Sequence, residues 1–540
     1  MPVVRLYYED LERLIGASRD TIMSKMAMMG ADIGKRAEED HVDVEFFPDR
    51  PDLYSPEGVA RAMRGFLGLE TGLRAYSVLK GSIVLQVEES VKSVRPIIGC
   101  AVVRDLEFSN EAIESLMGLQ EDLHWGLGRN RRKVAIGVHD ISSITPPFRY
   151  LGADPARKFV PLDFSEEMSM QEMLKNHPKG KDYGHILQGC SRYPLIDDAK
   201  DQVLSFPPII NGELTRVTED SQDLFIDVTG TDPMVFKALN IVATSLAERG
   251  GKIESVLVKR SEGDFISPRL EPSRWTVNAD EANALIGFGL EAKELAGCLE
   301  KMRFGAKANG RNVEVLVPAY RADIMHSWDI FEDAAKGYGY DLLHAELPKT
   351  VTVGRSHPSE LQKAAIREIM TGLGFLETMP FTLTNEKVHF DWMRRARAGA
   401  TGVKHPISEL HTILRTSLLS SLLEIFAMNQ HHTLPQKIFA AGDVVVEKRT
   451  KMDLAAASIH SNARFSEIRS VADTVLRELD LGDEVTIEPS DDGALLPGRG
   501  ADMLLAGQKI GVFGEVHPLV IRSFGLEQPV VALELRFGEL

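Results

Sequence analysis

The sequence predicts an α+β multidomain protein, and three observations support that class. One stretch near the N-terminus reappears in the middle of the chain. Between the two copies runs a region of strand-like alternation, and beyond the second copy comes a helix followed by strands. At 540 residues the chain has room for roughly three to five domains of about 100–200 residues each. We expect four regions: a small α+β domain at 1–90, a central β-rich α/β domain at 95–262, a second small α+β domain at 268–345, and a region that opens with a helix and ends in strands at 355–540.

The repeat aligns residues 10–68 with 281–339. Each copy reads as a helix with Leu-Ile-Gly, a second helix, an alternating strand, a Pro-containing turn and a closing helix. In both copies an Asp, Asp52 or Asp323, precedes the final Gly68 or Gly339 by sixteen residues. The copies differ in charge. Where the first has Gly58, Arg61 and Ala62, the second has Asp329, Glu332 and Asp333.

A helix starting near Ser327 brings Asp329, Glu332 and Asp333 onto one face, beside a buried stripe of Ile330, Phe331, Ala334, Ala335 and Tyr338. Two chemistries fit these acids together with Asp323. Acids in a first turn complement the helix dipole. A hard divalent cation also takes oxygen ligands of this type. The first copy lacks the three helix acids, so the scaffold does not require them, which favours the cation.

The central region contributes strand-like runs, "RRKVAIGVHDI" and "DLFIDVTG", with a helix after the second. The basic cluster "GRNRRK" at 128–133 reads either as a grip on nucleic-acid phosphates or as a solvated loop. Beside it, His124 and Trp125 read as core. The last region opens with the helix "SELQKAAIREIMTGLGF" and closes on the strands "QKIGVFGEVHP" and "PVVALELRF".

Composition narrows the function. Hydrophobic residues make up 44% and charged residues 26% of the chain, as in ordinary globular proteins. No apolar run reaches the ~20 residues that span a bilayer, and the acidic start does not read as a signal peptide. Cys100, Cys190 and Cys298 lie far apart without metal-ligand spacing, which fits a reducing cytosol. A net charge of −17 argues against a protein coated in nucleic acid but allows a local basic patch.

Several stretches together resemble one family. They are "VEFFPDRPDLYSPEGVARAMRGFLG", "LHWGLGRNRRKVAIGVHD", "VLSFPPIINGELTRVTEDSQDLFIDVTGTD", "VPAYRADIMHSWDIFEDAAKGYGYD" and "HPISELHTILRTSLLSSLLEIFAMNQ". In order and coverage the chain resembles the β subunits of phenylalanyl-tRNA synthetase, of the shorter archaeal and eukaryotic type. The resemblance implies that Asp323, Asp329, Glu332 and Asp333 bind Mg2+, with Asp333 standing where many relatives have Glu. It implies an editing module at 95–262 that hydrolyses mischarged Tyr-tRNA(Phe). That module's pocket falls on Leu195 as wall, Ser205, Arg216 as partner of a phosphate or carboxylate, and Asp227 with Thr229 orienting substrate or water. A competing reading has Asp227 and Thr229 merely closing a strand-to-helix turn.

The resemblance also implies a class II synthetase-like C-terminal domain, an antiparallel sheet with helices at 355–540, that is non-catalytic. Arg415 invites an ATP-phosphate role but begins a Leu-rich stretch, 414–426, suited to packing, and a late Gly-x-Gly-x-x-Arg segment is missing. His405 replaces the Asn more usual in that turn. Charging with ATP and L-phenylalanine would belong to an α subunit, in an (αβ)2 heterotetramer with tRNA(Phe), in the cytoplasm and without membrane contact. The chain ends at Leu540 straight after the last class II-like strand, so anticodon contact is not expected of it. Two alternatives stay open: a scaffold subunit without editing, and a magnesium-dependent hydrolase acting alone.

Overall fold

The structure is a computed structural model that describes residues 2–345, 347, 350 and 352–539. The chain forms two compact units, Met1–Glu346 and Leu347–Leu540. The expected regions 1–90, 95–262 and 268–345 all lie inside the first.

The repeat is realised as one topology used twice. In the first copy the three-stranded antiparallel sheet has the order Val3–Tyr7, His41–Phe46, Ala31–Ala37, and in the second Ser273–Asn278, Asn312–Val317, Gly305–Asn309. The last strand in sequence is central in both. Leu-Ile-Gly ends the helices Tyr8–Ile15 and Ala279–Ile286 with Gly16 and Gly287 at φ 78° and 86°, a left-handed cap that disfavours a side chain. The closing helices are Pro56–Phe66 and Ser327–Tyr338.

Between the copies two sheets stack. The five-stranded sheet runs Val78–Leu79, Lys252–Glu254, Ile97–Arg104, Leu224–Gly230, Val134–Asp140. The seven-stranded sheet runs Ile210–Asn211, Val203–Phe206, Tyr193–Asp197, Phe148–Ala153, Val84–Val87, Val256–Lys259, Phe265–Ser267. Alternation divides each strand between two cores. Ala101, Val103, Ile226 and Val228 pack with the helices Asn110–Trp125 and Met234–Glu248. Cys100, Val102 and Phe225 meet Leu85, Phe148, Tyr150 and Ile196 of the other sheet. With both faces covered, Ile97–Arg104 reads as a near-continuous apolar run, and Leu224–Gly230 does so apart from Asp227 and Thr229.

The boundary expected at 90–95 is not a core boundary. Val78–Leu79 and Val84–Val87 pair in parallel with Lys252–Glu254 and Val256–Lys259, and Val59, Ala60 and Met63 share the core of Leu239 and Val242.

The second unit is built on a seven-stranded sheet in the order Leu376–Glu377, Gln436–Val446, Arg449–Ile459, Val530–Glu539, Gln508–Val516, Leu495–Leu505, Val485–Pro489. Every pairing after the first is antiparallel. Leu419–Met428 covers one face, and Pro358–Gly372 with Phe465–Glu478 the other. The Leu-rich helix therefore starts at Leu419 rather than 414. Its Leu419, Leu422, Leu423 and Phe426 are core side chains.

Candidate functional site

A cavity of about 510 Å3 opens in the central region of the first unit. That volume is within the ~300–1,000 Å3 typical of small-ligand sites. Ser205, Arg216, Asp227 and Thr229 all line it.

Strand register explains why they converge. Phe225, Asp227 and Thr229 alternate with Leu224, Ile226 and Val228, so the polar pair points away from the helices toward the other sheet. Asp227 and Thr229 are thus strand residues, not a turn. Opposite Asp227 on the neighbouring strand stands Gly137. A Cβ there would come within 2.2 Å of Asp227 Oδ2 and 2.7 Å of His139 Nε2. Gly137 is required by that close approach.

His139 was not singled out in the sequence, yet it organises the site. It is fully buried; Nε2 lies 2.7 Å from Asp227 Oδ2 and Nδ1 2.8 Å from Thr215 Oγ1. A carboxylate accepts, so Nε2–H donates to Asp227 and Nδ1 accepts from the Thr215 hydroxyl. Ser205 Oγ donates more weakly to the same Oδ2, at 3.5 Å. Thr229 is fixed by Arg95, whose Nε donates to its Oγ1 at 3.0 Å and Nη2 to its carbonyl at 2.8 Å. Burial lowers the pKa of Arg95 to about 10, against the pull of Tyr150 and Asp227.

Two expected residues act differently. Leu195 does not line the cavity; it packs with Phe206 and Ile209 and so backs the wall those two form. Arg216 lines the rim but is held by Glu213 at 2.8 Å and Asp163 at 2.6 Å, and those hydrogen bonds raise its pKa.

The opposite wall holds His124, Glu121 and Arg131. His124 Nε2 accepts from Ile136 N–H at 2.8 Å, and burial pushes its pKa down to about 4. Burial raises Glu121, but His124, Arg131 and Lys179 together hold it well below the usual carboxylate range. Three consecutive residues, Arg129, Asn130 and Arg131, have φ of 49°, 53° and 64°. For residues with a side chain that region costs about 1–2 kcal/mol each.

The four carboxylates of the second small domain do not assemble an ion site as arranged. Among the described residues, no three of His, Cys, Asp and Glu come together as a donor set. Buried Arg321 donates to Asp323 at 2.8 and 2.5 Å and also to Asp333, bringing a positive charge of its own. Burial raises Asp323, and Arg321 overrides it to leave the carboxyl below its ordinary value. Asp329 Oδ2 accepts from Met325 N and His326 N, both at 2.7 Å, as a helix cap, and Glu332 pairs with Lys336 at 2.9 Å. The first copy repeats the clamp: Arg50 donates to Asp52 at 2.8 and 2.9 Å, and its Nη1 lies 4.0 Å from Asp333. Asp333 therefore neutralises buried arginines from both copies, so the scaffold does need that acid.

In the second unit, the expected phosphate-binding candidate Arg415 is buried before the helix. It donates to the carbonyls of Asp443, Pro380 and Phe381. Around it lies a self-satisfied network. Glu534 accepts from Ser417 Oγ at 2.7 Å and Leu418 N at 2.6 Å; Arg395 binds Asp492 at 2.8 Å; Arg536 binds Asp453 at 2.9 Å. Among the described residues no helix is long and apolar enough to cross a membrane.

Comparison with known proteins gives the same direction throughout. A family model described as the phenylalanyl tRNA synthetase beta chain CLM domain matches residues 343–537, and the tRNA synthetase B5 domain matches 275–340. The phenylalanine–tRNA ligase beta subunit of Methanothrix thermoacetophila is 65% identical over 540 residues, 100% of both chains. That of Archaeoglobus fulgidus is 54% identical over 99% of this chain and 98% of its own. A crystal structure of an N-terminal fragment of the phenylalanyl-tRNA synthetase beta-subunit from Pyrococcus horikoshii matches at a TM-score of 0.60 and 38% identity, covering 62% of this chain and 99% of that one. Full-length identity at this level, together with two family domains in their order, means that the chain belongs to the phenylalanine–tRNA ligase beta subunit family.

Proposed function

We propose that this chain serves ATP-dependent charging of tRNA(Phe) by a phenylalanine–tRNA ligase and carries that enzyme's hydrolytic check on mischarged Tyr-tRNA(Phe). One observation carries the reading: Ser205, Asp227, Thr229 and Arg216 border a single cavity of about 510 Å3. A pocket selecting phenylalanine cannot strongly reject a side chain with one added hydroxyl, so a second site is needed. Here His139 holds one oxygen of Asp227 and Arg95 holds Thr229, while the second carboxylate oxygen is left for a phenol or a water. A buried partner for the phenol left unpaired by phenylalanine costs about 1–3 kcal/mol, which spares the correct ester.

Amino acid activation belongs, in this proposal, to an α subunit in an (αβ)2 assembly. Arg415 is tied to backbone carbonyls, so it is not free for ATP. Exposed Met379, Phe381, Ile407 and Leu410 in the second unit suit a permanent apolar interface, in place of the Leu-rich helix. Three free cysteines suit a cytoplasmic enzyme. Mg2+ enters only in the assembled enzyme, because Arg321 must first release Asp323 and Asp333.

The test is deacylation of Tyr-tRNA(Phe) by the complex, wild type against Asp227→Ala, with Phe charging measured in parallel. Loss of deacylation by at least ~10-fold with charging retained is expected. Wild type that charges but never deacylates would leave the scaffold reading.

A further inference from the structure

We infer that the turn at 128–133 docks the phosphate backbone of an RNA strand whose 3′ end enters the cavity; this rests on the proposed editing function. The left-handed run of Arg129, Asn130 and Arg131 is a conformation that residues with side chains seldom adopt even singly. Backbone of this kind persists where the surroundings over-determine it, and it gathers at functional sites. Arg131 supplies the restraint. It is buried, its Nη1 donates to Pro208 O at 3.2 Å and Ile209 O at 3.0 Å, its Nη2 to Glu121 at 2.6 Å, and its guanidinium lies 4.5 Å from the Tyr183 ring centre.

With Arg131 turned inward as the anchor, its neighbours face solvent. Arg129 and Arg132 are exposed and, among the described residues, have no side-chain hydrogen bond or ion pair. By contrast Lys133 is paired with Asp232 and Lys179 with Glu121. Two unpaired cations on a conformationally fixed turn, in a chain of net charge −17, stand out from the acidic background. A polyanion with charges at regular spacing matches two guanidinium groups carried on a restrained turn better than a single small anion does.

The turn is also wired to the cavity floor. Arg132 O accepts from Arg95 Nη1 at 3.2 Å, and Arg95 Nε donates to Thr229 Oγ1 at 3.0 Å. A strand bound at Arg129 and Arg132 is thereby held at a set distance from Thr229, which is what an ester at the strand's end requires.

The experiment uses the full chain and two probes: an acceptor-stem RNA hairpin with a single-stranded 3′ CCA end, and the phosphate-free tyrosyl ester of adenosine. Arg129→Ala with Arg132→Ala should weaken hairpin binding roughly 10-fold and lower the slope of log K against log salt by about one to two. Hydrolysis of the adenosine ester should stay unchanged. Removing two charges elsewhere, Lys293→Ala with Lys307→Ala, should leave hairpin binding unchanged. Wild-type hairpin affinity in the arginine variant overturns the inference, as does an equal loss in the lysine control. Equal loss on the phosphate-free ester also overturns it, because the turn would then serve the fold alone. If the wild type does not hydrolyse the adenosine ester, the editing function fails, and the hairpin measurement still decides the docking question.

Discussion

Both units bury polar side chains beside a sheet, and the two groups end differently. In the second unit, buried Glu534, Ser417 and Asp453 and the partly exposed Arg395, Asp492 and Arg536 take up one another's hydrogen-bonding capacity. In the first, the chain Thr215–His139–Asp227–Ser205 stops short of that, and Gly137 keeps a side chain out of the space beside it. Polar residues in a core do not by themselves make a reactive site. Spare valence next to empty volume is what the proposed editing site adds.

Glu534→Ala should have the largest effect, because it removes the acceptor of two buried backbone N–H groups, Leu418 and Leu419, and of Ser417 Oγ, while Arg395 keeps Asp492. We expect about 2–4 kcal/mol of lost stability in the second unit, read by urea unfolding. A neutral result would mean that this network is not the closed system its geometry describes.

Next, His139→Ala should slow Tyr-tRNA deacylation roughly 10- to 100-fold by leaving Asp227 without its buried donor. His139→Gln, which restores an N–H at the same reach, should recover most of it without altering the melting temperature further. If alanine is harmless, the first network is as inert as the second.

Acid should reveal a likeness between the units. His124 and His389 are both held neutral by burial, each with a pKa near about 4 against 6.5 in the unfolded chain. Between those values the unfolded state binds more protons, so stability is present above pH 6.5 and is lost as pH falls toward 4. His124→Gln should remove about 2 kcal/mol of the pH 6.5-to-5 loss in the first unit, and His389→Gln a similar amount in the second. Thermal melts across that range read both; an unchanged acid slope would count against neutral burial.

The smallest expected effect belongs to magnesium added to the chain alone. With Arg321 already neutralising Asp323 and Asp333, the ion should change stability by under about 0.5 kcal/mol relative to sodium at equal ionic strength. A larger shift, abolished by Asp329→Asn with Glu332→Gln, would show the carboxylates rearranging around the ion.

The repeat was legible in the sequence because helix caps and turns are local. Leu-Ile-Gly and the Arg-x-Asp turn each write their geometry within a few residues. Ser205, Asp227 and Thr229 were reached through family resemblance, and their meeting depends on pairing between distant strands. His139 escaped notice for that reason: its contact with Asp227 spans 88 positions and is set by register. The available signal was a polar residue inside an apolar run, "VAIGVHD", two positions after a glycine. Leu195 came from the family's pocket, and here it packs one layer behind the wall, against Phe206 and Ile209. The carboxylate cluster was read without Arg321, which clamps Asp323 and Asp333 inside its own copy, and without Arg50, which approaches Asp333 from the other copy.

Arg321 also bears on the order in which the enzyme is made. A domain whose acids are neutralised by a covalently attached cation needs no ion in order to fold. No chelator can strip that charge, and no shortage of free metal delays it. On the proposed magnesium binding, an ion would have to displace an arginine, so that loading would follow folding rather than drive it.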